Sequence, residues 1–226
     1  MFIRSIQLVS DIHLEKTKKY SNFKQTSGTL ALCGDIGNPM SPTYKKFIHK
    51  MSKKYQRVLL ISGNHEYYQR GHNLSIESPI INIIDNQINA IVKKYRNVYY
   101  LNNKTINLWG YTIAGTTLWS KYKNVNQYET IIPQEYKKNV EWLSNTINNN
   151  NKLIILTHHL PTEKILYKYK YKNNQDRFVS DLEYLIKDPV KYWFCGHSHI
   201  QNEIMLNGVK IAINANTLNL KSIKID

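Results

Sequence analysis

The 226-residue chain carries 31 Lys and Arg against 16 Asp and Glu, a formal net charge of +15, and its 42% hydrophobic and 12% aromatic content is too high for a disordered polyelectrolyte. Two cysteines and no Cys-x-x-Cys unit exclude a disulfide framework and a thiolate zinc site. The apolar runs are too short for a membrane span, and Arg4 and Ser5 interrupt the start too early for a signal peptide, so a soluble, cytoplasmic protein is expected.

Ile3 to Val9 reads as a strand that runs into Ser10-Asp11-Ile12-His13, and Thr29 to Cys33 as a second that stops at Gly34-Asp35. Ser41-Pro42 opens a helix, with Ser at the N-cap and Pro at the first helical position. Its apolar stripe is Tyr44, Phe47, Ile48, Met51 and Tyr55, which leaves Lys45, Lys46, Lys53 and Lys54 on the solvent side. Arg57 to Ile61 is a third strand, ending in Ser62-Gly63-Asn64-His65-Glu66. A longer helix follows on Ile81, Ile84, Ile88, Ile91 and Tyr95, then short strands around 98–100, 105–108 and 111–114, then a helix through Tyr136, Val140, Leu143 and Ile147. Leu153 to Leu156 is a buried-type strand ending in Thr157-His158-His159. Ser180 and Glu183 have capping-box spacing and predict a helix carrying Leu182, Leu185 and Ile186. Tyr192 to Cys195 stops at Gly196-His197-Ser198-His199, and the remainder reads as antiparallel strands with Asn207-Gly208 as a hairpin turn. No repeat or composition break divides the chain, so one α/β domain over residues 1–226 is expected.

Six of the eight histidines, His13, His65, His158, His159, His197 and His199, stand at these strand ends beside Asp11, Asp35 and Asn64. In layered α/β folds, ligands sit beyond the carboxyl ends of strands, where loops converge. The i, i+2 spacing of Asp11/His13 and His197/His199 lets paired side chains converge as the chain leaves a strand. Oxygen and imidazole donors without thiolate suit manganese, iron, zinc or magnesium. His49 and His72 read as incidental, Cys33 and Cys195 as small buried hydrophobes, and Asn38 as a turn residue or a group behind the ligands.

The ordered series Asp11-x-His13, Gly34-Asp35-x-x-Asn38, Gly63-Asn64-His65-Glu66, His158 and Gly196-His197-x-His199 resembles the calcineurin-like metallophosphoesterase superfamily. Gly115 to Trp119 and Phe178 to Leu182 resemble its small single-domain members. The resemblance implies a layered α-β-β-α sandwich with mixed sheets and a metal site at the strand C-terminal ends. It implies two divalent ions, manganese first, with iron, zinc or magnesium as the other candidates. Asp11, His13, Asp35 and His199 would hold one ion, Asp35 would bridge, and Asn64, His158 and His197 would complete the second site. The implied activity is hydrolysis of a phosphomonoester or phosphodiester by a metal-bound hydroxide. His65 would assist the leaving group, and Glu66 would orient its imidazole. Of the adjacent pair, the family pattern favours His158 as ligand, with His159 behind it or touching phosphate.

A phosphate ester is thus the expected partner. The basic excess, spread from Arg4 to Lys224, is either compositional or a bias toward anions, and it motivates the alternative of a nuclease on single-stranded or structured nucleic acid. Tyr167 to Lys172 alternates aromatics with cations and reads as a base-stacking rim or as an ordinary loop. Tyr67, Tyr68 and Trp119 read as pocket walls or as packing. No nucleic-acid-binding domain is expected after His199. A non-catalytic metal-binding scaffold is the third reading, and the complete ligand set stands against it.

Overall fold

The computed structural model describes residues 4–16, 24–68, 78–125, 129–166, 175–215 and 221–226. Strands β1 (Ser5–Val9), β2 (Thr29–Cys33), β3 (Arg57–Ile61) and β4 (Val98–Tyr100) pair in parallel, and β11 (Lys221–Lys224) adds antiparallel to β1. A second sheet runs in the order β5 (Lys104–Leu108), β6 (Tyr111–Thr116), β7 (Leu153–Thr157), β8 (Val190–Cys195), β10 (Val209–Asn214), β9 (Gln201–Leu206). Its centre, β6 to β8 and on to β10, is parallel, with antiparallel hairpins at both edges.

The strand sequences explain the layering. Successive side chains point to opposite faces, and β2 and β7 are buried at every position, so both faces of each sheet need cover. Leu30, Leu32, Val58 and Leu60 pack under helices α1 (Pro42–Lys54) and α2 (Ser78–Val92), against Phe47, Ile48, Ile84 and Ile88. The alternate residues Ala31, Cys33, Leu59 and Ile61 face Ile113, Ile154, Leu156 and Phe194 of the second sheet. The far face of that sheet, with Ile155, Trp193 and Ile211, packs on Leu143 and Ile147 of α3 (Ile132–Asn148). The result is the layered α-β-β-α sandwich with mixed sheets. No helix among the described residues is long and apolar enough to cross a membrane.

Local signals hold where they are self-contained. Ser41 Oγ accepts the Tyr44 N–H at 3.1 Å, and Lys45, Lys46 and Lys53 are exposed. Asn207 and Gly208 have φ of 50° and 78°, as a two-residue hairpin turn requires. The helix expected from Ser180 and Glu183 is instead a single 3-10 turn, Glu183–Leu185. The Glu183 carboxylate accepts from Thr162 Oγ1 and Lys164 Nζ, each at 2.6 Å, so it is not free to cap the turn. The C-terminal strands also divide, because β11 crosses to the first sheet instead of extending the β9–β10 hairpin.

Candidate metal centre

The carboxyl ends of β1, β2 and β3 and of β7 and β8 lie along one edge of the sandwich, stitched together by the backbone. Ser10 bridges to Ala215, Gly196 N–H donates to His158 O at 3.0 Å, and the loops after β1 and β2 run side by side through Asp11 N to Gly34 O and His13 N to Asp35 O, both 3.0 Å. Asp11, His13, Asp35, His197 and His199 leave their strands with φ between 52° and 66°. This left-handed region is uncommon for residues with a Cβ, more accessible to Asp and His than to most, and costs about 1–3 kcal/mol per residue. Gly34, at φ 82°, leaves room for the imidazole behind it, since a Cβ there would stand 2.5 Å from His158 Nδ1.

The turns aim two groups of donor atoms at each other. Asp11, His13, Asp35 and His199 form one, and Asp35, His158 and His197 the other; within each group the donor atoms lie within 4.8 Å of one another. Asp35 belongs to both and divides its oxygens between them. Its Oδ1 is 3.3 Å from His158 Nε2, and its Oδ2 is 3.8 Å from His13 Nε2. Asn64 Oδ1 joins the second group at 3.1 Å from His158 Nε2. Most of this is buried, but 45% of the His199 side chain and 18% of His65 are exposed, which marks the mouth of the site.

Acceptors around the site set the imidazole tautomers. His158 Nδ1–H donates to Cys33 O at 2.8 Å, His197 Nε2–H to Arg177 O at 3.1 Å, and His13 Nδ1–H to the Glu15 carboxylate at 2.9 Å. Each ring then turns its other nitrogen inward. His158 Nε2 and His197 Nδ1 meet at 3.1 Å, as do His13 Nε2 and His199 Nε2. Asp11 Oδ1, 3.3 Å from His199 Nε2, and Asp35 Oδ2 are buried and accept no hydrogen bond among the described residues. Converging ring nitrogens and carboxylate oxygens need positive charge between them, and this donor set fits divalent cations.

The titration behaviour of these groups has the same cause. Burial works to lower the His158 pKa, but the Asp35 carboxylate outweighs it and raises it to about 9. Burial and the charge of His158 push His197 down to about 3. Burial likewise works to raise Asp35, and His158, His65 and His197 hold it well below the usual carboxylate range.

The expected ligand positions Asp11, His13, Asp35, Asn64, His158, His197 and His199 therefore all come together, with His65 at their edge. The expected role of Glu66 needs correction, and so does the phosphate-contacting half of the alternative for His159. Glu66 does not orient His65: its Oε1 accepts from Ile36 N (2.7 Å) and Gly37 N (3.3 Å), and its Oε2 from Asp35 N (3.0 Å) and Gly63 N (2.7 Å). It is a buried staple between the loops after β2 and β3. His159 is not at a surface that phosphate would meet. Its ring is fully buried, with centroid distances of 4.1 Å to His197 and 5.6 Å to Trp119, so it sits behind the ligand set.

Asn38 Oδ1 accepts from Met40 N, a turn bond, and Tyr67 and Trp119 are packing residues, whereas the half-buried Tyr68 stands edge-on to His65 at 5.1 Å. Both cysteines are buried, and burial raises both thiol pKa values. His72 and Tyr167 to Lys172 lie outside the described residues. Three supporting residues escaped the sequence reading. Glu15 touches His13 and His65, Arg177 grips Glu129 while its carbonyl fixes His197, and Asp85 accepts from Tyr67, Tyr100 and Asn102 beneath the His65 loop. Only Glu15 left a usable signal, because it continues the i, i+2 series of Asp11 and His13.

A layered α-β-β-α fold with two adjoining carboxylate–imidazole groups at its strand ends defines the metallophosphoesterase class. The chain belongs to the calcineurin-like phosphoesterase family, whose model matches residues 5–201. A protein of Acanthamoeba polyphaga mimivirus, itself described as uncharacterized, is 31% identical over 257 residues, covering 94% of this chain and 90% of that protein. Among solved structures, a phosphopantetheinyl hydrolase from Mycobacterium tuberculosis aligns with a TM-score of 0.71 at 12% identity, over 94% of this chain and 89% of that one. A dimetal phosphatase from Danio rerio aligns with a TM-score of 0.54 at 11% identity, over 94% and 87%. At these identities the two structures speak for the fold.

Proposed function

We propose that residues 1–226 act as a single phosphoesterase domain with a dinuclear metal centre that hydrolyses a phosphomonoester or phosphodiester. The observation that carries this reading is the pair of donor groups sharing Asp35, with buried carboxylate oxygens that accept no hydrogen bond among the described residues. Asp11, His13, Asp35 and His199 would hold one ion, and Asp35, Asn64, His158 and His197 the other. Two divalent ions, when bound, bring water near neutral ionisation and offset charge on phosphoryl oxygens. Manganese is the first candidate, with iron, zinc and magnesium compatible with the same donors.

His65 stands ready for the leaving group. Its backbone N–H is fixed on Asp35 Oδ1 at 2.8 Å, and its ring packs edge-on against His13 with 4.6 Å between centroids. Burial works to lower its pKa, and the contact with Glu15 and the charge of Asp35 outweigh that and raise it, which favours the proton-donating form.

The test is turnover by metal-free chain after addition of Mn, Fe, Zn or Mg. Its substrates are 4-nitrophenyl phosphate, bis(4-nitrophenyl) phosphate, a phosphopantetheine ester (after the Mycobacterium tuberculosis neighbour) and single-stranded DNA. Metal-dependent hydrolysis that falls by about 100-fold or more in His65→Ala supports the reading. An absence of turnover with every metal and every ester contradicts it, and cleavage of the DNA alone transfers the site to the nuclease alternative.

A further inference from the structure

The Glu15 carboxylate serves two imidazoles with one oxygen. Oε1 accepts from His13 Nδ1 at 2.9 Å and lies 3.5 Å from His65 Nδ1, and the two rings meet edge-on with an interplanar angle of 80°. Glu15 comes from the loop after β1 and His65 from the loop after β3, so this contact joins two loops that share no strand pairing. It also fixes what each ring can do. With Nδ1–H given to the carboxylate, His13 offers Nε2 to the first donor group, and His65 is held with Nε2 on the side away from Glu15.

We propose that Glu15 is a positioning residue, aligning His13 as a metal ligand and His65 as the leaving-group imidazole through a single carboxylate oxygen. The inference rests on the phosphoesterase reading for the role of His65 but not for the alignment itself. A carboxylate behind a ligating imidazole sets the tautomer and ring orientation, and its loss lowers metal affinity by about 10–100-fold. The same carboxylate here ties that effect to leaving-group departure. Glu66, adjacent to His65 in sequence, is occupied by four backbone N–H groups and is not available for this task.

Glu15→Ala and Glu15→Gln separate alignment from mere stability. Gln keeps an acceptor oxygen for the imidazole N–H, so it should restore most of what Ala loses. The first readout is long-range 1H–15N NMR of the histidine rings in metal-free chain. Glu15→Ala should move His13 and His65 away from the Nδ1–H tautomer, and Glu15→Gln should leave them there. The second is calorimetric titration with Mn2+, where Glu15→Ala should bind the first ion about 10–100-fold more weakly. The third is the ratio of kcat for an alkyl phosphate to kcat for 4-nitrophenyl phosphate. The alkyl ester, with its poorer leaving group, should suffer more in Glu15→Ala. Unchanged tautomers and Mn2+ affinity in a Glu15→Ala chain of wild-type circular dichroism would overturn the proposal, as would equal loss in the Gln and Ala variants. If the wild type hydrolyses no ester, the functional reading fails, and the tautomer and Mn2+ measurements still decide the role of Glu15.

Discussion

Removing Glu66 should weaken the fold rather than act on the chemistry. Its carboxylate accepts the backbone N–H groups of Ile36 and Gly63 at 2.7 Å, Asp35 at 3.0 Å and Gly37 at 3.3 Å, with 1% of the residue exposed. A buried donor left without a partner costs about 1–3 kcal/mol. If the long Gly37 bond is discounted and some water enters the vacated space, Glu66→Ala should cost about 3–6 kcal/mol, much of a typical stability of about 5–15 kcal/mol. Glu66→Gln keeps one acceptor oxygen but turns an NH2 toward the other donors, so it should cost about 2–4 kcal/mol. Urea unfolding followed by circular dichroism measures both, with unchanged m and falling midpoints in the order wild type, Gln, Ala. The staple role is contradicted if Glu66→Ala stays within about 0.5 kcal/mol of wild type while losing turnover selectively on poor leaving groups. That pattern would mean that Glu66 orients His65.

Gly34→Ala places a Cβ 2.5 Å from His158 Nδ1 at φ 82°; a loss of about 2 kcal/mol or more together with weakened Mn2+ binding is expected, and normal binding would contradict the assigned geometry. Arg177→Ala removes the ion pair with Glu129 and the guanidinium lying 4.5 Å over the Tyr122 ring. Thermal unfolding should show a loss of about 1–2 kcal/mol, and an unchanged midpoint would make the pair decorative. Asp85 supplies a pH test: burial raises its carboxyl above the ordinary 3.8, against the bonds from Tyr100 and Tyr67. The folded chain then keeps this proton to higher pH than the unfolded one, so the associated stability is full below 3.8 and falls as pH rises through the folded value. Asp85→Asn lacks that fall, so urea midpoints taken between about pH 4 and pH 6 should decline less with pH in the variant, and parallel slopes would contradict the argument.

What was legible in the sequence follows from how local each signal is. The start of α1 needs only Ser41, Pro42 and a stripe of apolar residues, and the structure follows them closely. The donor cluster was legible because its residues are the types that tolerate a left-handed turn where a strand ends, and five of them adopt it. The capping-box pattern of Ser180 and Glu183 failed because Glu183 finds partners in Thr162 and Lys164, contacts that only the fold creates. Glu66 departs from its expected role, and Glu15 goes unannounced, for a similar reason. Sequence adjacency put Glu66 beside His65, but the backbone N–H groups of two loops captured its carboxylate. Parallel pairing of β1, β2 and β3 carried the distant Glu15 to the imidazole instead.

Calorimetric titration of Mn2+ into metal-free wild type and Asp35→Asn shows whether two cations are held through a shared Asp35. Two ions per wild-type chain, with both sites weakened together in the variant, are the predicted result. A wild-type stoichiometry of one or none, or a variant that loses only one site and keeps the other at full affinity, would contradict it.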